Sequence, residues 1–379
     1  MRITVFGLSI SSAWGNGHAT LLRGLFRALH AQGHSILFFE HNAPYYAAHR
    51  DATSLPYASL RFYDDWESNI PSFKQALEAS DAAIVTSYCP HGAAACDLML
   101  EGTPGGCRRI FYDMDTPVTL SRLLQGNPVE YLPGDGLGGF DLVLSYTGGI
   151  AIDELRNRLS AKRVATLYGW VDPDYYCPVR VRSDFASDIS YLGTFAADRQ
   201  DKLETLFLDP ACKLPSKKFL IGGAMYPDVE HWPANVRYLS HVAPPEHAAF
   251  YSSSPLTLSV TRGAMAAMGY CPSGRLFEAA ACGTAILSDW WTGIDYFFEP
   301  GNEILIAEST EDALGVLLKD RAALVTTGAR ARERAMDCHT AAIRAARLTS
   351  LIENPVDDAE GNTSDHLESK LPAMAEGKI

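Results

Sequence analysis

The sequence predicts two doubly wound α/β domains, each built on a parallel sheet, and three observations carry that expectation. Short β-rich apolar runs alternate with amphipathic stretches, the pattern of a parallel sheet covered by helices. The alternation stops at a polar, Pro-containing stretch over 172–187 and then restarts. The chain of 379 residues has room for two cores of ordinary size.

In the first half, strands are expected at 3–8, 35–39, 60–63, 82–86, 109–112 and 142–145, with 164–167 closing the sheet. Apolar residues at helical spacing predict helices over 19–30 and 73–79. In the second half, strands are expected at 189–192, 218–221, 236–239, 256–260 and 285–288. Helices over 202–208, 245–251, 275–282 and 310–318 would cover them, and a long helical segment follows over 325–352. The expected domains are therefore 1–170 and 171–335. The polar segment 354–379 reads as a disordered tail.

Composition narrows the function. Hydrophobic residues make up 47% and charged residues 20%, as in a globular protein. A net charge of -13 argues against a nucleic-acid binder, though not against a small nucleotide that needs only a local basic patch. No apolar run approaches the roughly 18 residues of a membrane span, and residues 1–10 are too short for a signal-peptide core. The eight cysteines form no CxxC pair and no metal spacing. Cys89, Cys96, Cys107 and Cys282 read as reduced packing residues, so a cytoplasmic location and no bound metal are expected.

The densest chemistry lies at 271–306. Ser273 is a good N-cap for a helix opened by Gly274, with Arg275 and Glu278 one turn apart, Gly283 as its stop, and a strand delivering Asp289. A helix N-terminus with a cation and a carboxylate beside it outlines a nucleotide-diphosphate pocket. Arg199, with Lys202 nearby, and Arg262, at the end of its strand, are further phosphate candidates.

Near the start, Gly15 and Gly17 precede a helix and would let backbone N–H groups approach a diphosphate. His18 reads as a general base or hydrogen-bond donor, or equally as part of a structural turn. Gly15-x-Gly17-x-x-Thr20, with Glu40 ending the second strand, imitates a dinucleotide fingerprint. It fits poorly, because the third glycine is Thr20. Asp113 and Asp115 end a strand, where residues two apart point to one side, and Pro117 favours extended backbone at Thr116. One carboxylate would deprotonate an acceptor hydroxyl while its neighbour raises its pKa; equally, one caps a turn or pairs with Arg109. Trp290, Trp291 and Asp295 read as base- or sugar-packing residues or as interface residues. His231, His241, His247 and His339 read as ordinary surface or capping histidines.

SAWGNGHAT (12–20), FYDMDTPVTL (111–120), YGWVDPDYYCP (168–178), DISYLGTF (188–195), LTLSVTR (256–262) and CPSGRLFEAAACG (271–283) together resemble group 1 glycosyltransferases of the GT-B architecture. The resemblance is nearest to the CgeB-like (spore maturation protein) branch. It implies two Rossmann-like domains facing across a cleft, with a final helix at about 336–352 crossing back to the first domain. It also implies sugar transfer from a nucleotide-sugar donor to a glycan, lipid-linked or small-molecule acceptor, with no metal or other cofactor. Carried over by position, Glu278 would hold the donor ribose, while Arg199, Arg262 and Arg275 would neutralise the leaving diphosphate. Tyr168, Trp170 and Asp172 match the hinge. A second carboxylate that such families carry eight residues before Glu278 is Tyr270 here. A nucleotide-sugar epimerase and a non-catalytic binder of sugar nucleotide or glycan are the rival readings.

Overall fold

A computed structural model describes residues 1–354; the rest of the segment read as a tail, 355–379, lies outside the described residues. The first sheet has seven strands: β1 (Arg2–Gly7), β2 (Ser35–His41), β3 (Ser59–Tyr63), β4 (Ala82–Thr86), β5 (Arg108–Asp113), β6 (Leu142–Ser145) and β7 (Val164–Thr166). The second has six: β8 (Ile189–Leu192), β9 (Phe219–Gly222), β10 (Val236–Leu239), β11 (Leu256–Ser259), β12 (Ala285–Ser288) and β13 (Leu305–Ile306). Their orders are 3-2-1-4-5-6-7 and 10-9-8-11-12-13. Pairing is parallel throughout, with Ile3 opposite Ile36 on one side and Ala82 on the other.

Both sheets are doubly wound because their strands are apolar on both faces. In β1, Ile3 and Val5 enter the core on one side while Phe6 enters the core on the other. The second sheet is covered in the same way, with Leu220 and Ile286 on one face and Ile221 and Leu287 on the other.

Every expected strand is present, and β13 is added. Its two residues are too few for a periodic signal. The helix Thr116–Leu124 corrects the expectation of extended backbone there. Pro117 lies in its first turn, where a missing N–H costs nothing, and Asp115 is the N-cap. The segment expected as one helix over 325–352 is two, Arg321–Cys338 and Ala341–Glu353, broken at His339. At that break the chain runs beside the other interdomain crossing: Val171 N–H donates to His339 O (2.9 Å) and Ala341 N–H to Val171 O (2.9 Å). Ala341–Glu353 then packs on the helix Gly17–Ala31 of the first domain, sharing its core through Leu348, Leu351 and Ile352. His339, read as a surface or capping histidine, is the C-cap of Arg321–Cys338 but is buried, and it bonds Phe297 O through Nε2 (3.1 Å).

The carboxyl ends of the two sheets face each other. After β6, Gly148 N–H donates to Tyr270 O (3.0 Å) and Thr147 Oγ1 to Cys271 Sγ (3.1 Å). After β1, the Trp14 ring lies 4.9 Å from that of His241, which follows β10. In each sheet the strand order reverses once, between β1 and β4 and between β8 and β11. Ligands of open α/β sheets bind at such reversals.

Candidate active site in the interdomain cleft

A cavity of about 320 Å³ opens at the β8/β11 reversal, lined by Thr194, Phe195, Ala196, Arg199, Val260, Thr261, Arg262, Met265, Ser273 and Arg275. Its cationic character comes from three elements. Arg275 is on the exposed face of the helix Gly274–Ala281, whose other face buries Leu276, Phe277, Ala279, Ala280 and Ala281. Ser273 caps that helix by accepting from Arg275 N–H (3.4 Å), and Gly283 stops it at φ +73°.

Arg199 belongs to the short helix Ala197–Leu203 and is buried, donating through Nη2 to Thr194 O while its Nε has no partner among the described residues. Burial presses its guanidinium below the ordinary value, and the charges of Arg275 and Arg262 add to that pressure. A guanidinium nevertheless stays charged at neutral pH. The arrangement is thus a partly buried cluster of positive charge with an unused N–H.

Arg262 is not free in the cavity: its Nε lies 2.9 Å from Asp198, which also accepts from Gly263 N–H (3.0 Å). The pair is half exposed, so a phosphate could displace it at small cost. Asp289 is also committed, accepting from Thr261 N–H (3.0 Å) and so fixing the turn that carries Arg262. Lys202 is paired with Glu308 (2.9 Å).

Glu278 lies one turn beyond Arg275, half-buried, its carboxylate accepting from the Tyr251 hydroxyl (3.5 Å), while the Tyr176 hydroxyl bonds His247 Nδ1 (3.4 Å). No ion pair joins it to Arg275 among the described residues, leaving the arginine to the cavity. Trp291 is buried in the second core and is no ligand-stacking residue, while Trp290 is exposed. Tyr270 is a wedge between the domains. It holds φ +46°, donates its N–H to Thr292 O (2.7 Å), and has its ring against Gly149 and Gly293, where side chains would collide with it.

Across the cleft, the segment from Ser9 to Asn16 is bolted down by side chains. The Glu40 carboxylate accepts from Ser9 Oγ (2.9 Å), Ile10 N–H (2.8 Å), Ser11 N–H (3.0 Å) and Ser11 Oγ. It is therefore spent on this loop, and the dinucleotide fingerprint loses its ribose ligand. Arg23 bonds Ile10 O (2.7 Å) and pairs with Asp51, while Asn16 Nδ2 bonds Ser9 O and Ser12 O. On this base Gly15 makes its turn at φ +61°, Gly17 opens the helix with free space around it, and His18 follows in the first turn. His18 stands beside the Tyr88 ring (5.8 Å), and burial pushes its pKa down to about 4. It is a neutral hydrogen-bonding group at pH 7 and a weak base.

Asp113 and Asp115 do not share a side. Asp113 is fully buried, with Oδ1 accepting from Asp115 N–H (3.1 Å) and Oδ2 without a partner. Burial pushes its pKa up to about 7, against the hydrogen bond from Asp115 N–H. Arg109, its alternative partner, is paired with Asp141 instead (2.8 Å). Asp115 is half-buried. Burial raises its pKa, while the nearby Tyr88 hydroxyl and Arg262 across the cleft both favour its ionised form. Asp115 and Arg262 are thus brought together from opposite domains. Tyr88 and Asp198 carry part of the site without a sequence motif; only the adjacency of Asp198 to Arg199 gave a signal. Asp289, read from the sequence as a carboxylate of the pocket, is spent on the Thr261 turn instead.

This architecture is the two-domain GT-B fold. Sucrose-phosphate synthase from Thermosynechococcus elongatus superposes with a TM-score of 0.68 at 15% identity, covering 93% of this chain and 98% of that one. An alpha-glucosyltransferase in complex with UDP gives 0.64 at 14% identity, over 93% and 100%. Anabaena HepE in complex with UDP-glucose gives 0.59 at 10% identity, over 93% and 99%. Residues 199–350, which include Arg199, Arg262, Arg275 and Glu278, match the glycosyl transferase-like family. No protein of curated function matches the chain by sequence. Among the described residues, no group of histidine, cysteine and carboxylate side chains could hold a metal ion, and no helix is long and apolar enough to cross a membrane.

Proposed function

We propose that the protein is a glycosyltransferase that takes its donor as a nucleotide sugar, with the diphosphate in the Arg199–Arg275 cavity. The observation that carries this reading is the buried Arg199, its Nε unpartnered, beside Arg275 at a capped helix N-terminus. Two guanidinium groups with no carboxylate partner among the described residues, around a cavity at the strand-order reversal, suit a diphosphate. Glu278, held by Tyr251, would take the ribose. UDP in solved neighbours of the same fold supports UDP as the first nucleotide to test.

Positive groups aimed at the diphosphate would stabilise negative charge as the glycosidic bond breaks. Burial raises the proton affinity of Asp115 and lowers that of His18, so Asp115 would take the acceptor proton; His18 would orient the acceptor or the sugar. The motifs shared with the CgeB-like branch support a place there, and a glycan, lipid-linked or small-molecule acceptor fits the reading.

Thermal melting with UDP, dTDP, GDP, ADP and CDP tests it. A donor nucleotide at a hundredfold excess over its dissociation constant stabilises by about 2.7 kcal/mol. Arg199→Met removes a charged donor worth about 1.5–3 kcal/mol, so affinity should fall roughly ten- to hundredfold while the free protein melts no lower. Glu278→Ala should weaken the same nucleotide. No response to any nucleotide, or an Arg199→Met variant that binds normally, would sink the reading. The Tyr270 wedge, in place of a carboxylate, favours a non-catalytic sugar-nucleotide binder as the second reading. It predicts binding without sugar release or transfer.

A further inference from the structure

The Trp14 ring is 46% exposed between the two domains and belongs to none of the hydrophobic cores. Its setting is nonetheless rigid. His49 stacks on it, with ring centroids 5.1 Å apart and planes 14° from parallel. That imidazole is fixed in turn, because His49 Nδ1–H donates to Tyr45 O (2.7 Å) and Ser12 Oγ–H to His49 O (2.8 Å). From the second domain, the exposed His241 ring approaches Trp14 to 4.9 Å at 37°. A planar polar ring is thus already held against an indole that no core requires.

This is where the far end of a nucleotide would fall. Arg275 at the diphosphate cavity and Glu278 at the proposed ribose position are one turn apart on a single helix. Beyond Glu278 comes Tyr251, which bonds it and belongs to the helix His247–Ser252. His247, opening that helix, bonds through Nε2 to the carbonyl of Val242, the residue after His241 (3.1 Å). The ends of β8 and β10 lie two strand spacings apart, about 10 Å, close to the reach from a diphosphate through a ribose to its base.

We infer that Trp14 is the base-stacking residue of the donor site, supplied by the first domain, with the heteroaromatic base of the nucleotide taking the position that His241 holds. This deepens the transferase reading and rests on it. A base offers the indole a larger flat face than an imidazole does, and the exposed His241 can turn to solvent. A base stacked there touches both domains, so donor binding would draw the cleft closed.

The test is calorimetry on the full chain, Trp14→Ala and Trp14→Phe, with UDP, dTDP, GDP, ADP, CDP and inorganic pyrophosphate. Pyrophosphate reports the arginine cavity alone. Trp14→Ala should weaken the nucleotide that binds by roughly five- to hundredfold and leave pyrophosphate within twofold of the parent. Trp14→Phe, which keeps a ring, should recover most of that loss. The nucleotide should also quench tryptophan emission in the parent, pyrophosphate should not, and the quenching should vanish in Trp14→Phe. Because Trp14 lies outside the cores, both variants should melt with the parent. A nucleotide bound as tightly by Trp14→Ala as by the parent would overturn the inference and leave the transferase reading standing. Equal losses of nucleotide and pyrophosphate would overturn it too, since Trp14 would then shape its loop rather than stack. A parent that binds none of the nucleotides counts against the transferase reading itself, and the inference falls with it.

Discussion

Asp113 is a carboxyl group kept in the core with one oxygen unpartnered, and its protonation sets a pH dependence that can be isolated. Its pKa is about 7 in the folded protein against about 3.9 in an unfolded chain. Between those values the folded state holds the extra proton, so this group's contribution to stability is full at low pH and is lost as pH rises from about 4 to 7. Asparagine imitates the protonated form at all pH. Asp113→Asn should therefore match the parent near pH 4 and exceed it at pH 8 by up to roughly 4 kcal/mol. Urea unfolding at the two pH values checks this; equal stability at pH 8 would show that Asp113 is not a buried acid. The residue was visible in the sequence as half of a pair at a strand end. Its role was not. Period-two geometry holds only while the strand continues, and here the chain turns into a helix at Asp115.

At the scale of elements, the strands were legible because a doubly wound sheet buries both faces and leaves continuous apolar runs. The helix Gly92–Gly102 was less so, being nearly all apolar and without a polar face to give it a period. The loop after β1 was the hardest element to read, since its shape depends on side chains from Glu40 and Asp51, distant in sequence. That dependence makes a prediction. Glu40→Gln replaces an acceptor oxygen with an N–H among four donors, leaving at least one of them unsatisfied. The cost should be about 1–3 kcal/mol. Hydrogen exchange should rise over residues 9–17 while β2 stays protected. Unchanged exchange there would mean that the loop holds its form without the carboxylate.

The whole molecule is held at two adjacent crossings, and its C-terminal helix belongs to the fold of the first domain. Trp170 Nε1–H donates to Leu21 O (2.9 Å), and Arg27 pairs with Asp172 while lying over the Tyr57 and Tyr175 rings. These bonds attach the outgoing crossing to the helix Gly17–Ala31, and the returning helix Ala341–Glu353 packs on that same helix. At the junction, buried Arg344 reaches Gly169 O (3.4 Å) and His339 Nδ1 (3.1 Å), tying the crossings to each other. Leu348 fills the core beneath the first sheet and does not line the Arg199–Arg275 cavity. Leu348→Ala should cost about 2–5 kcal/mol through the cavity it leaves. The loss should fall on the first domain, so calorimetry should show its transition moving down and separating from that of the second, where the nucleotide is proposed to bind. UDP affinity, measured below both transitions, should stay within twofold, and UDP should still raise the upper transition. If both transitions fall together, the crossings transmit the core defect across the cleft and the two sheets unfold as one unit. If UDP binding is lost without unfolding, the donor cavity depends on how the first domain is seated against it, which would make closure of the cleft part of donor binding.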